Sequence, residues 1–245
     1  MRSDARTWRW IGVGRALAAA AVAWAAVPAP AGAQAVQDLD QGTYQIRLDG
    51  TVVGKETFVV RQEGQVVKAV GRIALDSARP PFRSEEIWLQ TDTDFRPELF
   101  RLHPRSGDVE NIVARRDGPR VRLQTSSEAG SRSQQFVAPE GFSILEPAVA
   151  HEYFVFFRQH AGQAGGGGSW SVPVVIPSLG EQTTVRVRSA GTDSVTIAGA
   201  ARAATRYDLT LDGETIQVWR NGGGRILQVR RPDRGWTATR TEPGG

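Results

Sequence analysis

The 245-residue chain predicts an all-β protein: a curled antiparallel meander of about thirteen strands, half-closed like a barrel or β-spiral, with one inserted amphipathic helix. Three observations carry this. Apolar and polar residues alternate through most of the chain after residue 36, the period of strands with one buried face. Turn pairs such as Asp49-Gly50, Glu63-Gly64, Asp117-Gly118 and Asp212-Gly213 punctuate that alternation at hairpin spacing. Only one stretch, Ser143 to His160, has helical period. Flat open sheets beyond about ten strands are uncommon, so this many short strands must curl.

The first 33 residues read as a secretory signal peptide. Arg2, Arg6, Arg9 and Arg15 precede or border an Ala-rich apolar run from Ile11 to Val27. Pro28 and Pro30 end the run, and Ala31-Gly32-Ala33 and Ala33-Gln34-Ala35 both offer small-residue cleavage sites. A single β domain over 36–245 remains, with its helix near 145–160.

Strands follow in order. Tyr44, Ile46 and Leu48 share one face of the first, and Asp49-Gly50 turns it. Glu56 to Arg61 and Gln65 to Leu75 come next, and Pro80-Pro81 stops the run. Glu85 to Gln90 sets Ile87 and Leu89 against Trp88. Glu98 to His103, Asn111 to Arg116 and Val121 to Gln124 continue the pattern. Ser126 to Ser133 is small and polar, the weakest stretch for order. Gln134 to Val137 leads into the helix.

At 100° per residue, Leu145, Val149, Tyr153, Phe156, Phe157 and His160 fall within an arc of about 120°, with His151 and Arg158 opposite. Pro147 suits a first helical turn. Ser143 with Glu146 forms a capping box, or Glu146 is itself the N-cap. Such an aromatic face must be buried on or inside the sheet. The four glycines 165–168 follow as a flexible connector. They come after a helix and before a strand, the reverse of a phosphate cradle.

The last third is plain alternation. Trp170, Val172 and Val174 share a face, then Thr183, Val185 and Val187, then Val195 and Ile197. Tyr207 to Leu211, Ile216 to Arg220, Arg225 to Arg231 and Trp236 to Arg240 complete the sheet. Residues 44–50 match 207–213 at five of seven places, counting Ile46 with Leu209. The echo reads either as hairpin chemistry recurring or as a barrel of two halves with the helix between.

Composition narrows the function. Without residues 1–33 (four Arg, one Asp), 26 basic residues face 25 acidic ones, too even for a nucleic-acid footprint. There is no Cys, hence no disulfide and no thiolate zinc site. His151-Glu152 opens like a zinc-protease helix, but residue 155 is Val. His151 and His160 would lie on opposite helix faces. No nucleophile elbow is present, and Asp92-x-Asp94 lacks the glycine and closing Glu of a calcium loop. Glu85 and Glu86 point to opposite faces of a strand and cannot work as an acid/base pair. No catalytic residue, metal or cofactor is therefore expected, and the reading is non-enzymatic.

What stands out is aromatic: Trp88, Trp170, Trp219 and Trp236 together with Tyr153, Phe154, Phe156 and Phe157. They fill a core or line a ligand cavity. Three stretches carry a resemblance: Tyr44 to Val60, Glu86-Ile87-Trp88 with Asp94 to Phe100, and Gly213 to Arg231. Together they resemble exported Gram-negative envelope proteins of domain-of-unknown-function families. These are similar to periplasmic lipoprotein carriers and β-spiral envelope-integrity proteins. The resemblance implies a periplasmic location and a curled sheet with an inserted helix. It carries over no catalytic residue, and the disulfide typical of β-spiral members is absent.

Two functions are thus expected. The first is a carrier module for an apolar ligand, a lipid or acyl chain, lined by Val149, Tyr153, Phe156, Phe157, Trp88 and Trp219. The second is a solid barrel supporting envelope integrity through a protein partner. A monomer that does not bind nucleic acid is expected in either case.

Overall fold

A computed structural model describes residues 36–75, 84–104 and 109–242, within the unit Gln34–Gly245. The expected signal peptide and the expected stop at Pro80-Pro81 lie outside the described residues. Fifteen strands form one sheet. The first eight are β1 (Val36–Leu48), β2 (Thr51–Glu63), β3 (Val66–Leu75), β4 (Ser84–Asp92), β5 (Pro97–Pro104), β6 (Val109–Asp117), β7 (Arg120–Ser127) and β8 (Gly130–Val137). The short β9 (Ser143–Ile144) precedes helices α1 (Glu152–Gln159) and α2 (Ala161–Ala164). Then follow β10 (Ser169–Ile176), β11 (Glu181–Ile197), β12 (Ala200–Leu211), β13 (Glu214–Arg220), β14 (Ile226–Arg231) and β15 (Trp236–Arg240).

The curled meander stands, with fifteen strands where about thirteen were expected. Neighbours run antiparallel except the short parallel pair β9–β10. The order is β8 to β1, then β15 to β9, so first and last strands meet at a seam in mid-sheet. There Tyr44 pairs with Arg240 and Leu48 with Trp236. Beneath the seam the Arg240 guanidinium donates to both oxygens of buried Asp40, at 3.0 and 2.8 Å, and lies over the Phe58 ring. The free edges, β8 and β9, are separated by residues 138–142 alone, so the curl nearly closes. Gln182 Nε2 on β11 donates to the Val137 carbonyl on β8 at 2.7 Å.

The turn chemistry appears where expected. Asp49-Gly50 and Asp212-Gly213 both take positive φ at both residues, as a two-residue hairpin twisted to match its strands requires. Ser126 to Ser133, expected to be the least ordered stretch, instead pairs strand to strand in the β7–β8 hairpin. Val195 and Ile197 belong not to a separate strand but to the long β11, which shifts register between Ser189 and Gly191. That bulge bends the distal hairpin over the outer face of the sheet. There it covers Trp219 and Leu227 in a second, small apolar cluster.

The helix differs most from expectation. It begins at Glu152, not near 145. Ser143-Ile144 is strand, and Pro147 occupies the second position of a β-turn closed by Val149 N–H to the Glu146 carbonyl. That site suits proline as well as a first helical turn does. Nor is α1 amphipathic in use, because every residue from Glu152 to Phe157 is buried and only Arg158 is exposed. The sheet wraps the helix on all sides, which demands an apolar surface all round. Tyr153, Phe156 and Phe157 pack into the main core with Tyr44, Phe58 and Tyr207, and the helix interior is filled.

Candidate functional site

Helix α1 starts with backbone N–H groups that have no partner within the helix. Glu56 supplies one from the sheet. Alternation along β2 sets Glu56 inward with Phe58 and Val60. Its carboxylate accepts from Ala150 N–H (2.9 Å), His151 N–H (2.8 Å) and His151 Nδ1 (2.7 Å). An anion at this end also suits the helix dipole. His151, expected on a polar face, is fully buried. Its ring stacks near Phe58 at 5.9 Å and lies directly on Gly71, where any Cβ would come within 2.6 Å of Nδ1. Its Nε2 is buried with no partner, and no hydroxyl meets it. A carboxylate-oriented imidazole of this kind can move protons in enzymes. Here it ties the start of the helix to β2.

Three further carboxyls converge on the same end. Glu146 accepts from Ser178 N–H at 2.7 Å and Ser178 Oγ at 2.5 Å. Its own N–H donates to Glu152 Oε2 at 2.6 Å, leaving Glu152 Oε1 buried without a partner. Glu85 stands inward on β4 with Ile87 and Leu89, and accepts no hydrogen bond among the described residues. Burial, with Glu146 and Glu56 nearby, pushes Glu85 up to about 7. Burial likewise pushes Glu146 to about 7, against the Ser178 hydrogen bonds that favour its charge. Glu152 is raised well above the usual carboxylate range, first by burial and then by Glu146. Glu85 and Glu146 are therefore partly protonated near neutrality.

Beside these carboxyls lies a pocket of about 160 Å³. Ile46 on β1, Ile73 and Leu75 on β3, Leu102 on β5 and Trp236 on β15 form apolar walls, and the turn 146–149 closes one side. Glu85, Glu146 and Arg231 are the charged groups on its wall. The concave region between the distal β11–β12 hairpin and β15 is a more open and more polar groove.

Of the residues expected to line a ligand site, only Val149 does so here. Tyr153, Phe156 and Phe157 are core. Trp88 is 38% exposed on the outer face of β4. Trp219 is also on the outer face, its Nε1 donating to Asp193 Oδ2 at 2.9 Å. The structure therefore does not assemble the expected six. Glu56, Glu146 and Glu152 were not anticipated, whereas Trp236 belongs to the aromatic set expected to fill a core or line a cavity. Glu56 was legible: strand alternation places it, like Glu85, in register with buried apolar residues.

The other end of α1 is tied to the edge strand. Ser143 Oγ donates to Gln159 Oε1 (2.6 Å) and lies 2.9 Å from His160 Nε2, while Gln159 Nε2 donates to the Phe142 carbonyl. His160 thus meets a hydroxyl rather than the carbonyl expected for a helix-end histidine. Burial holds its pKa below the ordinary value. Because Ser143 Oγ donates to Gln159, Nε2 is the donor in the contact with Ser143. Among the described residues no three potential metal ligands cluster, and no helix is long and apolar enough to cross a membrane. Comparison with known proteins found no matching family model, no matching curated protein and no matching solved structure.

Proposed function

We propose that the protein is a non-enzymatic binding module of the periplasm that holds the end of an apolar ligand in the pocket beside Val149 and Trp236. The observation that carries this is the pocket itself: apolar walls, about 160 Å³, at the rim of an otherwise filled barrel. A dry apolar cavity of about 150 Å³ takes up benzene. Sites for whole drug-sized ligands begin near roughly 300 Å³. A ligand here would insert one apolar end and leave its remainder outside, unlike a lipid enclosed along helix α1. The resemblance to exported envelope proteins supports the location.

A second reading, a solid structural module with a protein partner, is favoured by the packing of Tyr153, Phe156 and Phe157, all at most 1% exposed. One experiment separates the two. Native mass spectrometry of the purified protein, with titration of a fluorescent fatty acid, should show saturable uptake under the binding reading. Val149→Trp, which fills the pocket, should abolish that uptake while leaving the fold intact. Absence of any bound or titratable apolar ligand would leave the structural reading standing.

A further inference from the structure

We propose that the pocket selects an apolar amine, a primary ammonium on an alkyl or aryl-alkyl body, with its head held between Glu85 and Glu146. This rests on the binding reading above and names its ligand class. Two independent observations point to it. The cavity has mostly apolar walls with Glu85 and Glu146 among its lining, a composition suited to a molecule with an apolar body and one polar end. And Glu85, 7% exposed and on the pocket wall, has no hydrogen-bond partner among the described residues.

Among the described residues, the charged groups near these two come from several elements. Glu56 on β2 is satisfied by three N–H donors from residues 150 and 151. Glu152 on α1 keeps one oxygen without a partner. Arg231 at the end of β14 is the cation on the pocket wall, and its Nη2 is turned to Glu214 at 2.6 Å. Among the described residues, two carboxyls and one guanidinium therefore line the pocket, and that guanidinium is engaged by Glu214 through Nη2 while its buried Nε has no partner.

Buried carboxylates are ordinarily matched by cations or several donors. Here the match is missing for Glu85 and partial for Glu146. An ammonium brings three donors and one positive charge, enough to bridge both carboxyls. A fatty acid offered head-first would instead add a third carboxyl to that wall, whose charge Glu85 and Glu146 oppose. The ammonium binds without covalent change. Where Glu85 or Glu146 is protonated beforehand, its proton leaves to solvent as the ion pair forms, so amine binding strengthens as pH rises through neutrality.

Three probes with the same tail test this by calorimetry on the purified exported protein: n-hexylamine, n-hexanol and n-hexanoate. At pH 8 hexylamine should bind roughly 10-fold or more tighter than hexanol, the margin of a charge-assisted hydrogen bond, and hexanoate weakest. The margin should narrow at pH 5.5. Glu85→Gln should remove most of it. Repeating the hexylamine titration of the parent at pH 6.5, in buffers of different ionisation heat, should reveal proton release, a readout that needs no variant. The amine proposal is overturned if hexanol or hexanoate binds as tightly as hexylamine, if the margin survives Glu85→Gln, or if no proton is released. In those cases the binding reading stands without its ligand class. If none of the three probes binds, the binding reading itself fails.

Discussion

Replacing Glu85 by Gln should stabilise the protein at alkaline pH and leave it unchanged in acid. The carboxyl is raised from an ordinary 4.5 to about 7 in the folded chain, first by burial and then by Glu146 and Glu56. A folded-state pKa above the unfolded one means the native state holds the proton more tightly. The resulting stability is fully present below about pH 4.5 and is lost as pH rises to about 7, beyond which the loss is constant. The step from 4.5 to about 7, at about 1.4 kcal/mol per pH unit, amounts to roughly 3 kcal/mol. Gln keeps the shape and cannot ionise. Urea denaturation of parent and variant from pH 4.5 to 8 should therefore give curves that coincide in acid and diverge by roughly 3 kcal/mol at pH 8, with the variant more stable. Taking the difference cancels groups with the opposite trend, such as Glu214, which Arg234 and Arg231 hold below the usual range. A variant less stable than the parent at pH 8 would refute the reasoning, because Glu85 would then have a compensating cation.

Phe156→Ala should destabilise by roughly 3–5 kcal/mol, since the ring is buried against Phe157 and His160. Arg158→Ala should cost no more than about 1 kcal/mol, the value of its exposed contact 5.2 Å over the Phe154 ring. Chemical denaturation of the two variants ranks them, and the reverse order would mean that Arg158 anchors the helix. Gly71→Ala should displace His151 and lose its bond to Glu56, costing roughly 3 kcal/mol or more. Amide exchange should then show α1 opening at its N-terminal end before the rest of the barrel, and unchanged protection of residues 150–154 would contradict this.

Much of the fold was legible in the sequence because strand alternation and hairpin turns are local. Ile87 and Leu89 face inward because residues two apart share a face, and Asp49-Gly50 and Asp212-Gly213 turn because their backbones accept positive φ. Those facts need no partner from elsewhere in the chain. Alternation would also have placed Glu56 and Glu85 in register with inward apolar residues, though neither was singled out as a site residue. It could not say what met them, since Glu56 lies about 95 residues from the helix it caps. The helix start shows the limit clearly. Local spacing allowed a helix from Ser143, with His151 on a wet face. Only the tertiary structure decided that β9 would pair with β10, that Pro147 would close a turn, and that His151 would lie on Gly71. Likewise periodicity could place Tyr153, Phe156 and Phe157 on an apolar face, but not tell a cavity wall from a filled core. That depends on how far the sheet curls, which is set by the seam between β1 and β15, two strands at opposite ends of the chain. The pocket exists because the curl leaves a gap where β1, β3, β5 and β15 pass the turn 146–149, a geometry that no single stretch of sequence contains.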